Sequence, residues 1–207
     1  MRVLKHRRTH EPRGRRPERT TQTAAADLRY IREAMQESAR STDVPGWGMV
    51  LIGLTAIIAT LLAASESSEG AWLRVWTVEA VVALAIAVLS ILHKTRVTGI
   101  PLRSGPTRKF FLGLAPPLLV GAMLTVVLQR EGLVSVLPGT WLLLYGAAFV
   151  GAGAYAMRIV PLLGACLMAA GVVALFGPTA WNDFILGLGF GGLHIGFGLV
   201  IARRYGG

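Results

Sequence analysis

Two ionisable side chains stand inside segments that otherwise carry no charge. Glu79 is the one charged residue between Val75 and His93, and His194 is the one ionisable group between Phe184 and Ala202. Burying such groups is costly, about 2.5–3.5 kcal/mol for Asp, Lys or Arg at the centre of a membrane helix. They therefore mark relays, ligand sites or hydrogen bonds between helices. Counted from the ends of the apolar segments at 1.5 Å per residue, Glu79 lies about 10 Å deep and His194 about 15 Å deep. Tyr145 reaches nearly the depth of Glu79, and its hydroxyl can donate to that carboxylate. Glu79, Tyr145 and His194 thus form one candidate group. It serves either as a proton relay or polar ligand site, or as hydrogen bonding that locks helices together.

Other chemistry finds no support. No second His, Cys or carboxylate lies three or four residues from His194, while His6, His10 and His93 are expected on the cytoplasmic side, so no metal site is expected. Cys166 is the single cysteine and sits in an apolar run, so it forms no intrachain disulfide and serves as a small packing residue. There is no Gly-x-Ser-x-Gly, no phosphate loop, no His-Glu-x-x-His and no pair of carboxylates on one face. No catalytic residue, cofactor or enzymatic activity is expected.

The elements that must position these residues are unusually apolar. Of the 207 residues, 53% are hydrophobic and 15% charged, against about 45–50% and 25% for a soluble domain. The excess is clustered, which excludes a soluble enzyme, a disordered chain and a disulfide scaffold. Six runs are long enough to span about 30 Å of hydrocarbon as helices, over residues 46–65, 72–93, 109–129, 140–157, 160–177 and 183–203. The fold class expected is therefore all-α, an integral membrane bundle of six transmembrane helices. Pro45-Gly46, the polar loop from Ser65 to Gly70, Pro138-Gly139, Arg158 with Pro161, and Gly177-Pro178 punctuate the runs. Trp47, Trp72, Trp76, Trp141 and Trp181 fall near the helix ends, as an interfacial belt would. Pro116-Pro117 predicts a kink in the third helix. In the sixth, Gly187/Gly191 and Gly192/Gly196 are small-residue pairs that let helices approach, within the bundle or in a homodimer.

Charge sets the orientation. The chain has 21 Lys and Arg against 11 Asp and Glu. All the basic residues except Arg74 and Arg130 fall on the side of the two termini, so both ends are expected in the cytosol of a bacterial inner membrane. That placement accounts for the basic balance without specific nucleic-acid binding. Residues 1–20 read as a disordered basic tail, residues 21–43 as a short cytoplasmic amphipathic helix, and residues 44–207 as the six-helix transmembrane domain. Within 23–40, Leu28, Ile31 and Met35 recur at helical spacing. They offer a thin apolar stripe for the membrane surface or for docking a cytosolic regulatory protein.

The segments Leu28-Arg29-Tyr30-Ile31-Arg32-Glu33-Ala34-Met35, Val44-Pro45-Gly46-Trp47-Gly48, Leu137 to Gly146 and Phe190-Gly191-Gly192-Leu193-His194-Ile195, with the ending Ile201-Ala202-Arg203-Arg204, carry a resemblance. Over residues 22–207 the chain resembles a group of uncharacterised small multi-pass bacterial membrane proteins, often encoded beside a winged-helix transcriptional regulator. The resemblance implies a topology and a regulatory partner, and assigns no catalytic residue. The function expected is that of a non-enzymatic interaction or regulatory partner, with a small-solute or proton-coupled transporter as the alternative.

Overall fold

Apolar runs in this chain fold as helices because a helix satisfies every internal backbone donor and acceptor within the segment itself. In the computed structural model, which describes residues 45–98, 105–153 and 157–205, the described residues are helical apart from short turns, and none forms a strand. The helices are α1 (Gly46–Ala64), α2 (Glu69–Thr98), α3 (Gly105–Arg130), α4 (Leu137–Gly153), α5 (Ile159–Phe176) and a composite α6. The last begins as Asn182–Leu186, passes through a π-helical segment Gly187–Leu193, and continues as His194–Tyr205. Among the described residues, six helices are long and apolar enough to cross a membrane. The tail, the docking residues Leu28, Ile31 and Met35, and the rest of residues 1–44 lie outside the described residues.

Local chemistry explains the boundaries. Pro45, extended, precedes α1, and the polar run from Ser65 to Ser68 separates α1 from α2. Beyond α3 the chain turns at Gly132, whose φ of 69° is the left-handed conformation that glycine adopts without a Cβ penalty. The Gly132 amide donates to Gln129 O and the Leu133 amide to Leu128 O, satisfying carbonyls that the helix end leaves free. Arg158 and Pro161 flank and open α5 as expected.

Successive helices alternate in direction, so one end of the bundle gathers the start of α1 and the end of α6, and is called the near end below. Gly46 there abuts Ala202, and Gly113 on α3 abuts Ala152 on α4. Sixth in sequence, α6 is central in space. It packs on α1 on one side and on α4 and α5 on the other, while α2 covers α1 and α3 covers α4. Glycine makes these seams. A methyl group on Gly146 would stand 2.6 Å from Gly164 O, and one on Gly164 would stand 2.6 Å from Gly146 O. Gly139 and Gly171 oppose each other in the same way one heptad along. Leu142, Leu163, Leu167, Leu186, Ile201 and His194 fill the interior, and the described residues belong to one unit, Ala39–Gly207.

Two expectations, the tryptophan belt and the pairing role of the α6 glycines, change in the folded chain. Trp72, Trp76 and Trp141 turn inward and touch one another instead of forming a belt, leaving Trp47 and Trp181 as the exposed indoles. Their positions near helix ends do not distinguish the two arrangements, because inward and outward faces occupy the same turns. Pro116 and Pro117 lie within one continuous helix, α3. Of the small-residue pairs in α6, Gly187 and Gly191 face Thr60 and Ile57 of α1, whereas Gly192 meets only Leu188 of its own helix and Gly196 faces open space.

Candidate functional site

His194 follows the π-helical segment directly. This segment contains Gly187, Gly189, Gly191 and Gly192. The Gly189 oxygen lies 3.2 Å from His194 Nδ1. A carbonyl only accepts, so Nδ1 carries the proton, and in the neutral ring Nε2 accepts from the Tyr145 hydroxyl at 3.2 Å. The imidazole is 1% exposed. Rings surround it, with centroids at 5.5 Å for Tyr145, 6.2 Å for Phe190 and 6.3 Å for Phe149. Both nitrogens are thus satisfied by α4 and by the helix's own backbone, in an aromatic setting.

That pair belongs to a longer aromatic column. Phe190 touches Tyr145 on one side and Trp76 on the other. Trp76 in turn meets Trp141, and Trp141 stacks on Trp72 at 5.7 Å with the rings 6° from parallel. The column ends in polar anchors. Trp72 Nε1 donates to Asp183 at 2.7 Å, and Trp141 Nε1 donates to Thr125 at 2.8 Å. Asn182 Nδ2 donates to Ser135 O at 2.8 Å, tying α6 to the turn before α4. Among the described residues, two buried side-chain polar atoms stand outside these bonds, Trp76 Nε1 and Asn182 Oδ1.

Glu79 is placed elsewhere. Its carboxylate accepts from Thr55 at 2.8 Å across the α1–α2 seam. The same hydroxyl lies 2.9 Å from Ile52 O, so its single proton has two acceptors in reach. Among the described residues Glu79 makes no hydrogen bond to Tyr145 or His194. The structure therefore brings together two of the three candidates, Tyr145 and His194, and gives the third a different partner. Thr55 went unremarked in the sequence, although a count supports it. It lies nine residues before the end of α1 and Glu79 ten residues after the start of α2, equal depths on the two arms of a hairpin. The bond between Trp72 and Asp183 joins residues 111 apart and has no local signal. The π-helical turn had one, the run of four glycines.

Among the described residues no group of three His, Cys, Asp or Glu can hold a metal ion. What the arrangement provides is a set of helix-to-helix hydrogen bonds in apolar surroundings, α1 to α2, α2 to α6, α3 to α4 and α4 to α6. An all-helical bundle with six apolar helices of spanning length is compatible with a multi-pass membrane protein. No protein-family model, curated protein or solved structure matches the chain.

Proposed function

We propose that this chain is a multi-pass integral protein of a bacterial cytoplasmic membrane, with both termini in the cytosol. It acts without catalysis, as the membrane partner of a cytosolic regulatory protein. One observation carries the reading: His194, the deepest ionisable group of α6, is 1% exposed and has both nitrogens bonded inside the bundle. A carrier needs such a group to meet water during its cycle, whereas a scaffold needs it to hold helices in place. The distribution of basic residues supports the orientation.

The contacts assigned to the partner are Leu28, Ile31 and Met35. The resemblance makes a winged-helix regulator the first partner to test. Cross-linking in native membranes followed by pull-down is expected to capture a cytosolic protein that Leu28→Asp/Ile31→Asp loses at normal expression. Retention of every partner by that variant overturns the proposal. Self-association through the exposed Gly192 and Gly196 side of α6 reads out in the same experiment as a cross-linked dimer.

A second reading, a small-solute or proton-coupled carrier, is favoured by the π-helical segment beside His194 and by the unpaired Trp76 N–H. Both are features often found where helices move or bind. It requires substrate flux that Glu79→Gln abolishes at normal expression.

A further inference from the structure

The near end of the bundle is strongly and one-sidedly charged. Arg96 on α2, Arg108 on α3, Arg158 at the α4–α5 turn, and Arg203 and Arg204 on α6 are all exposed. Among the described residues none of the five has an ion-pair or hydrogen-bonding partner. The described acidic residues lie away from them: Glu66, Glu69, Glu131 and Asp183 are at the far end, and Glu79 is within α2. No described carboxylate at the near end competes for these guanidinium groups.

Their height along the helices identifies the partner. Arg96 lies two residues beyond the span ending at Lys94, and Arg108 four residues before the span beginning at Leu112. Arg158 precedes Ile159 directly, and Arg203 and Arg204 close the sixth span. None is more than about 6 Å from a span boundary at 1.5 Å per residue, less than the reach of an extended arginine. Lipid phosphates occupy that level, whereas a cytosolic macromolecule would meet residues standing farther out. Guanidinium groups match phosphate with paired hydrogen bonds and are weakly hydrated, so they exchange water for phosphate readily.

We propose that Arg96, Arg108, Arg158, Arg203 and Arg204 bind the headgroups of anionic phospholipids around the near end of the bundle. This rests on the membrane-spanning reading above and is independent of the cytosolic partner. Each arginine contributes about 1 kcal/mol, a factor of about five in affinity for an anionic lipid.

The test uses the whole chain purified in a neutral detergent, with phosphatidylglycerol and phosphatidylcholine titrated separately and binding followed by native mass spectrometry. Phosphatidylglycerol is expected to bind more tightly than phosphatidylcholine. The pairs Arg203→Gln/Arg204→Gln and Arg108→Gln/Arg158→Gln each weaken phosphatidylglycerol by about fivefold per arginine removed, leaving phosphatidylcholine unchanged. The corresponding Arg→Lys pairs keep the charge and retain most of the preference, and Arg74→Gln/Arg130→Gln at the far end has no effect. Equal binding of the two lipids overturns the proposal, as does retention of phosphatidylglycerol by the Gln pairs or an equal loss in the far-end pair. Displacement of the lipid by inorganic phosphate also overturns it, in favour of a free-phosphate site. If a Gln pair does not fold, the wild-type lipid preference and the Lys pairs still decide. Failure of the membrane reading looks different: the chain is then monodisperse in buffer without detergent.

Discussion

Gly146→Ala puts one methyl group into the seam between α4 and α5, where its effect can be worked from the geometry. The new Cβ stands 2.6 Å from Gly164 O, 2.7 Å from Met168 Cγ and 2.8 Å from Met168 N. The Met168 side chain can rotate away, but the other two atoms are backbone. Restoring a contact of about 3.4 Å requires the two helices to separate by about 0.8 Å at this crossing. Overpacking of this kind costs about 1–3 kcal/mol, against a gain of up to about 1 kcal/mol from replacing a helical glycine. With the full gain, the net expectation is a loss of up to about 2 kcal/mol. Gly151→Ala on the same helix is the control: nothing lies within 4 Å of its Cβ, so it keeps the propensity gain without the clash. The single cysteine, Cys166, lies half-buried on α5, about 200° around the helix from Gly164, so its labelling reports unfolding of the bundle as a whole. Heating the detergent-solubilised protein with a thiol-reactive fluorophore should show Gly146→Ala labelling at a lower temperature than wild type, and Gly151→Ala at the same or a higher one. Equal labelling of the two variants would refute the glycine seam.

Further variants test the polar contacts by the same labelling assay. Tyr145→Phe leaves His194 Nε2 buried without a donor and should cost about 1–3 kcal/mol. A double-mutant cycle with His194→Leu should return a coupling near 1 kcal/mol, and a coupling of zero would mean the bond does not form. Thr55→Val removes the donor to Glu79 and should destabilise by about 1–3 kcal/mol, whereas Glu79→Gln keeps an acceptor for Thr55 and should be close to neutral. Trp141→Phe breaks the bond to Thr125, but Trp76→Phe breaks none. Both shrink a ring alike, so Trp141→Phe should be the costlier by about 1 kcal/mol; the reverse order would show that Trp76 N–H holds a partner in solution.

The number of helices, their turns and the polarity of charge along the bundle were legible in the residues, because the hydrocarbon length of a span and the cost of a charge act on each segment by itself. The windows between charges located all six helices. Pro45-Gly46, Arg158 with Pro161 and Gly177-Pro178 marked boundaries close to those observed. The depths of Glu79, Tyr145 and His194 followed from counting, but depth along an axis leaves open which way a side chain faces. Helices α4 and α5 are apolar all round, and α2 concentrates its apolar residues on no one face, so composition does not reveal their inner faces.

Tertiary structure decided the partners. It gave the Tyr145 hydroxyl to His194 and the Thr55 hydroxyl to Glu79, and it turned Trp72, Trp76 and Trp141 inward. The order of helices in space sets α6 against α1, the first helix of the chain, as well as against α4 and α5. That choice depends on how glycine-lined surfaces fit together, a property of pairs of helices that no single segment carries. The physical reason for the division is range: solvation acts residue by residue along the chain, whereas close packing exists only once two surfaces meet.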